Sequence, residues 1–246
     1  MTTERLHQPS GPLVLAGLLA AVAGFVDAFV YRNVTPVFVA NMSGNLIRLG
    51  MFAGDRDWRP ALAAGVAVGV FVSGVVVATV HHDRRLKVVA EVRPNGLLVA
   101  EAALLLLLPL VLHVGDVPFD AVPTLAQYPA LVISALAMGI QTAALRRVGQ
   151  VAVATTYGTG ALVRIGEKVA LGVRRAERAD DHRRRITVAV LGAVIALYVL
   201  GAVVGSAIGS SEWALLLPGA AVATAAVTLH LRGLALPRAG AARDAG

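Results

Sequence analysis

Two stretches of this chain set polar and cationic side chains inside otherwise apolar sequence, and they resemble copies of one another. Ser43-Gly44-Asn45-Leu46-Ile47-Arg48-Leu49-Gly50 aligns with Thr159-Gly160-Ala161-Leu162-Val163-Arg164-Ile165-Gly166, with four of eight positions identical. Ser43 and Thr159 are of the residue types that cap helix N-termini. Gly44 and Gly160 would let another group approach the backbone closely. A helix start carries about half a positive charge and unsatisfied N–H groups. Two such starts facing each other within a membrane would hold an anion or a strongly polar solute. Arg48 and Arg164 follow the two caps by five residues. They would add positive potential, or alternatively snorkel to opposite membrane surfaces. The competing reading of Ser-Gly and Thr-Gly is tight helix crossing.

Asn41, Asn45, Gln141, Thr155, Thr156 and Tyr157 supply neutral hydrogen-bonding groups around the two motifs. Asp27 lies in an apolar run and could carry a proton, ligate a cation or pair with Arg48 or Arg164. The ion pair is the favoured reading. Glu101 is placed near the inner interface, within reach of water. Enzyme chemistry finds little support. His7, His81, His82, His113, His182 and His230 fall in loops or near span ends, and Ser43 has no base placed by sequence. There is no phosphate loop, nucleophile elbow or metal-ligand spacing, and cysteine is absent. The expectation is no catalytic residue, no metal and no cofactor.

The elements that must position these residues are membrane helices. The chain has 246 residues, 57% of them apolar, in runs long enough to cross a bilayer. The net charge of +7 does not indicate nucleic acid, because the Lys and Arg lie between apolar runs as topology signals. Six runs reach spanning length: Leu13–Tyr31, Ala61–Val80, Gly96–Val114, Pro129–Leu145, Ile186–Ile208 and Ala214–Leu231. Val34–Ala53 and Val151–Leu171 hold the duplicated motif and are interrupted by small and polar residues. If both cross, the best orientation leaves seven of the 22 basic residues outside. If both dip in and return, only Arg32, Arg48, Arg56 and Arg59 lie outside, so 18 of the 22 face the cytoplasm. The second arrangement obeys the positive-inside rule better.

Three spans per half is an odd number, so the halves have opposite orientations. The expected fold is all-α and transmembrane: six spanning helices plus two re-entrant or broken half-helix segments, in an inverted 3+3 internal repeat. The alternative is eight spans in a parallel 4+4 repeat. The organisation is a cytoplasmic tail (1–12), a first repeat (13–114), an external linker (115–128), a second repeat (129–231) and a cytoplasmic tail (232–246). Gly201, Gly205 and Gly209 repeat every four residues, as do Gly65 and Gly69, a spacing that lets helices approach within the chain or, alternatively, across a homo-oligomer. The basic stretch 174–185 reads as a solvated loop.

GFVDAFVY (24–31), VFVANMSGNLIRLG (37–50), ALAMGIQTAALRRVG (135–149) and TTYGTGALVRIG (155–166) together resemble the YoaK-like family of bacterial inner-membrane proteins, a domain-of-unknown-function family. The resemblance spans nearly the whole chain. It implies a multi-pass inner-membrane protein and supplies neither substrate nor mechanism. Thr142 departs from the family pattern, which has Asn after the Gln.

The function expected from these features is a small-solute transporter or channel with a midplane site between the repeats, and no enzyme. Its partners would be the lipid bilayer and a small polar or anionic solute, with both termini cytoplasmic. A non-transporting membrane scaffold and a lipid-active membrane enzyme are the alternatives.

Overall fold

The computed structural model describes residues 10–88, 95–117, 123–145, 158–173 and 178–231. Every regular element among them is helical: α1 (Ser10–Asn33), α2 (Met42–Gly54), α3 (Trp58–Val88), α4 (Asn95–Gly115), α5 (Tyr128–Leu145), α6 (Gly158–Val173), α7 (Arg178–Ala207) and α8 (Leu216–Leu231). Short 3₁₀ turns lead into α5 and α8. Six stretches are long and apolar enough to cross a membrane: Leu13–Asn33, Trp58–Arg84, Gly96–Gly115, Leu125–Ala144, Arg185–Ala207 and Glu212–Leu231. They contain or overlap the six runs read from the sequence. The two short helices stand apart. α2 has 13 residues and α6 has 16, so at 1.5 Å per residue they are about 20 and 24 Å long, less than a hydrocarbon core of about 30 Å.

The apolar surface of the bundle faces outward as well as inward. Val72, Val76 and Val77 on α3 and Val199, Leu200, Val203 and Val204 on α7 are all exposed. Such a surface is at home against lipid, where each helix satisfies its own backbone. α1 is the most enclosed span and α7 the least.

Small residues set the packing. α1 and α7 run side by side in the same direction: Ala21 lies against Gly201 and Phe25 against Gly205, while Arg32 Nη1 donates to Ser206 Oγ (3.2 Å) and Asn33 Nδ2 to the Gly209 carbonyl (3.3 Å). A methyl at Gly24 would overlap the carbonyl oxygen of Tyr198, and one at Gly201 that of Ala21. α3 and α5 repeat this contact. A methyl at Gly139 would overlap the Phe71 carbonyl, and one at Gly74 would stand 2.6 Å from that of Leu136. Gly139 and Leu136 each lie 115 positions after Gly24 and Ala21; Tyr198 and Gly201 each lie 127 after Phe71 and Gly74. α4 and α8 run antiparallel, with Gly219 against Leu106 and Glu212 Oε1 3.0 Å from His113 Nδ1.

The glycine pattern needs one correction. Gly201 and Gly205 form a close crossing, but Gly209 ends α7 with φ +92°, a conformation L side chains rarely adopt. On α3 the close contact is Gly74. A methyl at Gly69 would meet nothing within 4 Å, and one at Gly65 only Leu49 Cδ1 at 3.8 Å. A spacing of four identifies a stripe, not the face that meets a partner.

Gly24→Ala should therefore push α1 from α7 and destabilise the protein by about 3 kcal/mol, the upper end for overpacking. Gly69→Ala should be neutral or slightly stabilising, since it meets open space and improves helix propensity. Thermal unfolding of the two variants in detergent distinguishes these outcomes.

Candidate functional site

α1 ends at Asn33 and the chain turns back on itself. Val34 N and Thr35 N both donate to the Val30 carbonyl at 3.0 Å, and Pro36 has no N–H to place. The backbone then returns along α1 as far as Asp27, six residues or about 9 Å before the helix end. There Asp27 Oδ1 accepts from Val39 N (2.6 Å) and Ala40 N (2.8 Å), and Oδ2 accepts from Tyr198 Oη (2.7 Å) on α7. Asp27 is 2% exposed. Its charge is offset by three donors, two of them backbone groups that lipid could not satisfy.

The same segment is held from the other side by α2. Asn45, fully buried, accepts from Phe38 N through Oδ1 (3.0 Å) and donates from Nδ2 to the Phe38 carbonyl (2.6 Å). Asn41 caps α2, its Oδ1 accepting from Gly44 N (3.4 Å) and Ser43 Oγ (2.8 Å). Gly44 is required by proximity, since a methyl there would stand 2.9 Å from the Phe38 ring. One turn further on, the Arg48 guanidinium lies over the rings of Tyr31 (5.5 Å) and Phe52 (5.1 Å), and Nη1 donates to Tyr31 Oη at 3.2 Å. Tyr31 stacks in turn on Phe38, with centroids 4.6 Å apart. Beside this assembly lies an open cleft of about 430 Å³ lined by Ala28, Tyr31, Arg32, Pro36, Phe38 and Ser206.

The structure thus brings Asn41, Ser43, Gly44, Asn45 and Arg48 to the turn from α1 into α2, whose backbone Asp27 holds from the other side. The second-half residues are arranged differently. Gln141 is buried on α5 and joins it to α1 by donating from Nε2 to the Leu19 carbonyl (2.7 Å), while its Oε1 has no partner among the described residues. Gly160 and Arg164 are exposed on α6, which packs on α7, whereas α2 packs on α3. Tyr157, Thr155 and Thr156 lie outside the described residues.

Several expectations are corrected. The cap of α2 is Asn41, and Ser43 already lies in the first turn; α6 begins at Gly158, so Thr159 is within the helix. Asn is as good a cap as Ser, and it wins here because its amide oxygen reaches both Gly44 and Ser43. Among the described residues Asp27 pairs with no arginine: backbone amides and Tyr198 occupy it, and Arg48 is taken by two aromatic rings. Glu101 does not reach water but is fully enclosed. Among the described residues, no three His, Asp or Glu side chains gather as a metal site would require.

Sequence reasoning passed over Tyr198 and Phe38, and took Tyr31 only for an aromatic at the outer interface. Tyr198 carried a signal, because a tyrosine in the middle of a span needs a partner for its hydroxyl. Tyr198→Phe should destabilise the protein by about 1.5–3 kcal/mol, the range for a hydrogen bond to a charged group. Asp27→Ala should destabilise it more, by leaving Val39 N and Ala40 N unsatisfied, and adding Tyr198→Phe to Asp27→Ala should have little further effect. Chemical unfolding of the three variants in detergent measures this coupling.

Residues 15–229 match the model of a family described as a protein of unknown function, DUF1275. The chain is also 26% identical over 191 residues to the UPF0700 transmembrane protein YoaK of Bacillus subtilis (strain 168), covering 77% of this chain and 80% of that one. No solved structure matches it. With a match extending over most of its length, the chain belongs to the DUF1275, YoaK-like family of multi-pass transmembrane proteins.

Proposed function

We propose that this protein is a non-enzymatic transporter or channel for a small polar or anionic solute, built as an inverted repeat in a bacterial inner membrane with both termini in the cytoplasm. The observation that carries the reading is the polar break between α1 and α2. Non-helical backbone about 9 Å inside a span is tolerated only where protein or a water-filled cavity satisfies it, and broken helices of this kind are where transporters hold their solutes.

The repeat reading is supported by packing. α1–α7 and α5–α3 make the same crossing, as Gly24 meets Tyr198 where Gly139 meets Phe71, and Gly201 meets Ala21 where Gly74 meets Leu136. Exchanging α1–α4 for α5–α8 also turns the α2–α3 interface into α6–α7 and α4–α5 into α8–α1, and all of these pairs pack. α2 runs in the direction of α1, since its start lies near Asp27 and Arg48 near Tyr31. The 55–57 turn then folds α3 back alongside α2. On this reading segment 34–53 would enter and leave the membrane on one face.

The solute would meet α2 near its N-terminus. The exposed Ser43 and the 430 Å³ cleft beside Tyr31 and Arg32 offer polar and cationic groups. Arg48, Gly44, Asn41 and Asn45 shape the approach, and Gln141, Tyr157, Thr159, Gly160 and Arg164 would serve the other half.

Two measurements test this reading. In the cysteine-free chain, single cysteines replacing Asp55 and Ser211 should react with an impermeant maleimide added outside intact cells, and those replacing Leu86 and Arg178 should not. Reaction at 55 and 211 from opposite sides would favour the eight-span arrangement. In liposomes made permeable to potassium with valinomycin, swelling in a series of potassium salts should show anion entry that falls at least tenfold with Ser43→Leu. An entry rate untouched by Arg48→Ala and Arg164→Ala would remove the preference for anions.

A further inference from the structure

Two carboxyl groups are buried within the spans, and they live in opposite circumstances. Asp27 receives three hydrogen bonds. Glu101 is 0% exposed, and neither Oε1 nor Oε2 has a partner among the described residues. It stands on α4, six residues or about 9 Å from the start of that helix, on the face carrying the buried Leu98, Ala102, Leu105 and Leu108.

The elements packed on α4 are α5, α8 and the 3₁₀ turn Glu212–Leu215. Their titratable groups are Tyr128 at the start of α5, Glu212 in the turn and His230, exposed near the end of α8. α4 itself adds His113, which is paired with Glu212 at the opposite end of the helix from Glu101. Among the described residues no cation is bonded to Glu101. An ionised carboxylate here would give up its hydration and receive nothing in exchange. A neutral carboxyl instead has a proton to donate.

A second buried polar atom without a partner lies on α5. Gln141 Oε1 is also buried and unpartnered among the described residues, and its orientation is fixed because Nε2 is committed to the Leu19 carbonyl. α4 and α5 pack together. Counted from the end of α4 and the start of α5, where the chain links them, Glu101 and Gln141 lie at the same depth, about 20 Å along each helix.

We propose that Glu101 is a proton-binding site, a neutral carboxyl whose proton exchanges with the aqueous phase on the side where α4 begins. Its use as a coupling site rests on the transport reading above; its existence does not. Asp27 is then the structural acid of the pair and Glu101 the titrating one.

Infrared spectroscopy of the full-length protein in phosphatidylcholine–phosphatidylglycerol liposomes tests the site. At neutral pH the wild type should show a protonated-carboxyl C=O band that shifts on transfer to deuterium oxide, and Glu101→Gln should lack it. Because Gln closely matches a neutral Glu in shape, that variant should unfold at the wild-type temperature. A wild-type spectrum with no band removed by Glu101→Gln, or a band indifferent to deuterium, overturns the proposal. A site present in a protein that moves no solute would remove the transport reading alone. Solute flux without the site would remove the site alone.

Discussion

In hydrocarbon a backbone N–H has nothing to bond except protein. That constraint governs the turn from α1 into α2, where the chain leaves its helix inside the membrane and must find partners one by one. Asp27 takes two of the open amides, Asn45 takes both polar groups of Phe38, and Asn41 takes the Gly44 amide in the first turn of α2. Remove these side chains and the segment has no reason to remain at that depth. The placement of Arg48 and the neighbouring cleft follow from it.

The clamp would not hold without the close approach of α7. Tyr198 can reach Asp27 because Gly24, Gly201 and Gly205 bring the two backbones together. In a bilayer there is little hydrophobic gain in pairing helices, so dispersion contact and interhelical hydrogen bonds carry the association. Here the two act at one crossing: glycines supply the contact, and one turn further along α1 the tyrosine–aspartate bond adds direction.

The six spans were legible because a bilayer demands length and apolarity, both of which are written locally in runs such as 96–114 and 186–208. The polar break at 34–41 was legible too, because Asn41, Ser43, Gly44 and Asn45 interrupt apolar sequence. The partners within the break were not. Tyr198 is 171 positions from Asp27, and no local pattern joins them. The choice of Asn41 over Ser43 as the cap turned on two residues of register between equally suitable types. Gly74 rather than Gly69 meets α5 because the rotation of a helix about its axis is decided by its neighbours. Glu101 was misplaced for a related reason: position near a span end suggests water, but the faces of α5 and α8 close over it.

The two close crossings are matched in steric fit yet differ chemically. Counting by the same intervals, Thr142 stands where Asp27 does and Phe71 where Tyr198 does. The Thr142 hydroxyl spends itself on the Met138 carbonyl of its own helix. Sliding α1 past α7 must therefore rupture the Tyr198–Asp27 hydrogen bond, while among the described residues no side-chain bond of that kind joins α5 to α3. Of two seams matched in fit, one is riveted by a side chain from each helix and the other is only greased by the smallness of its residues.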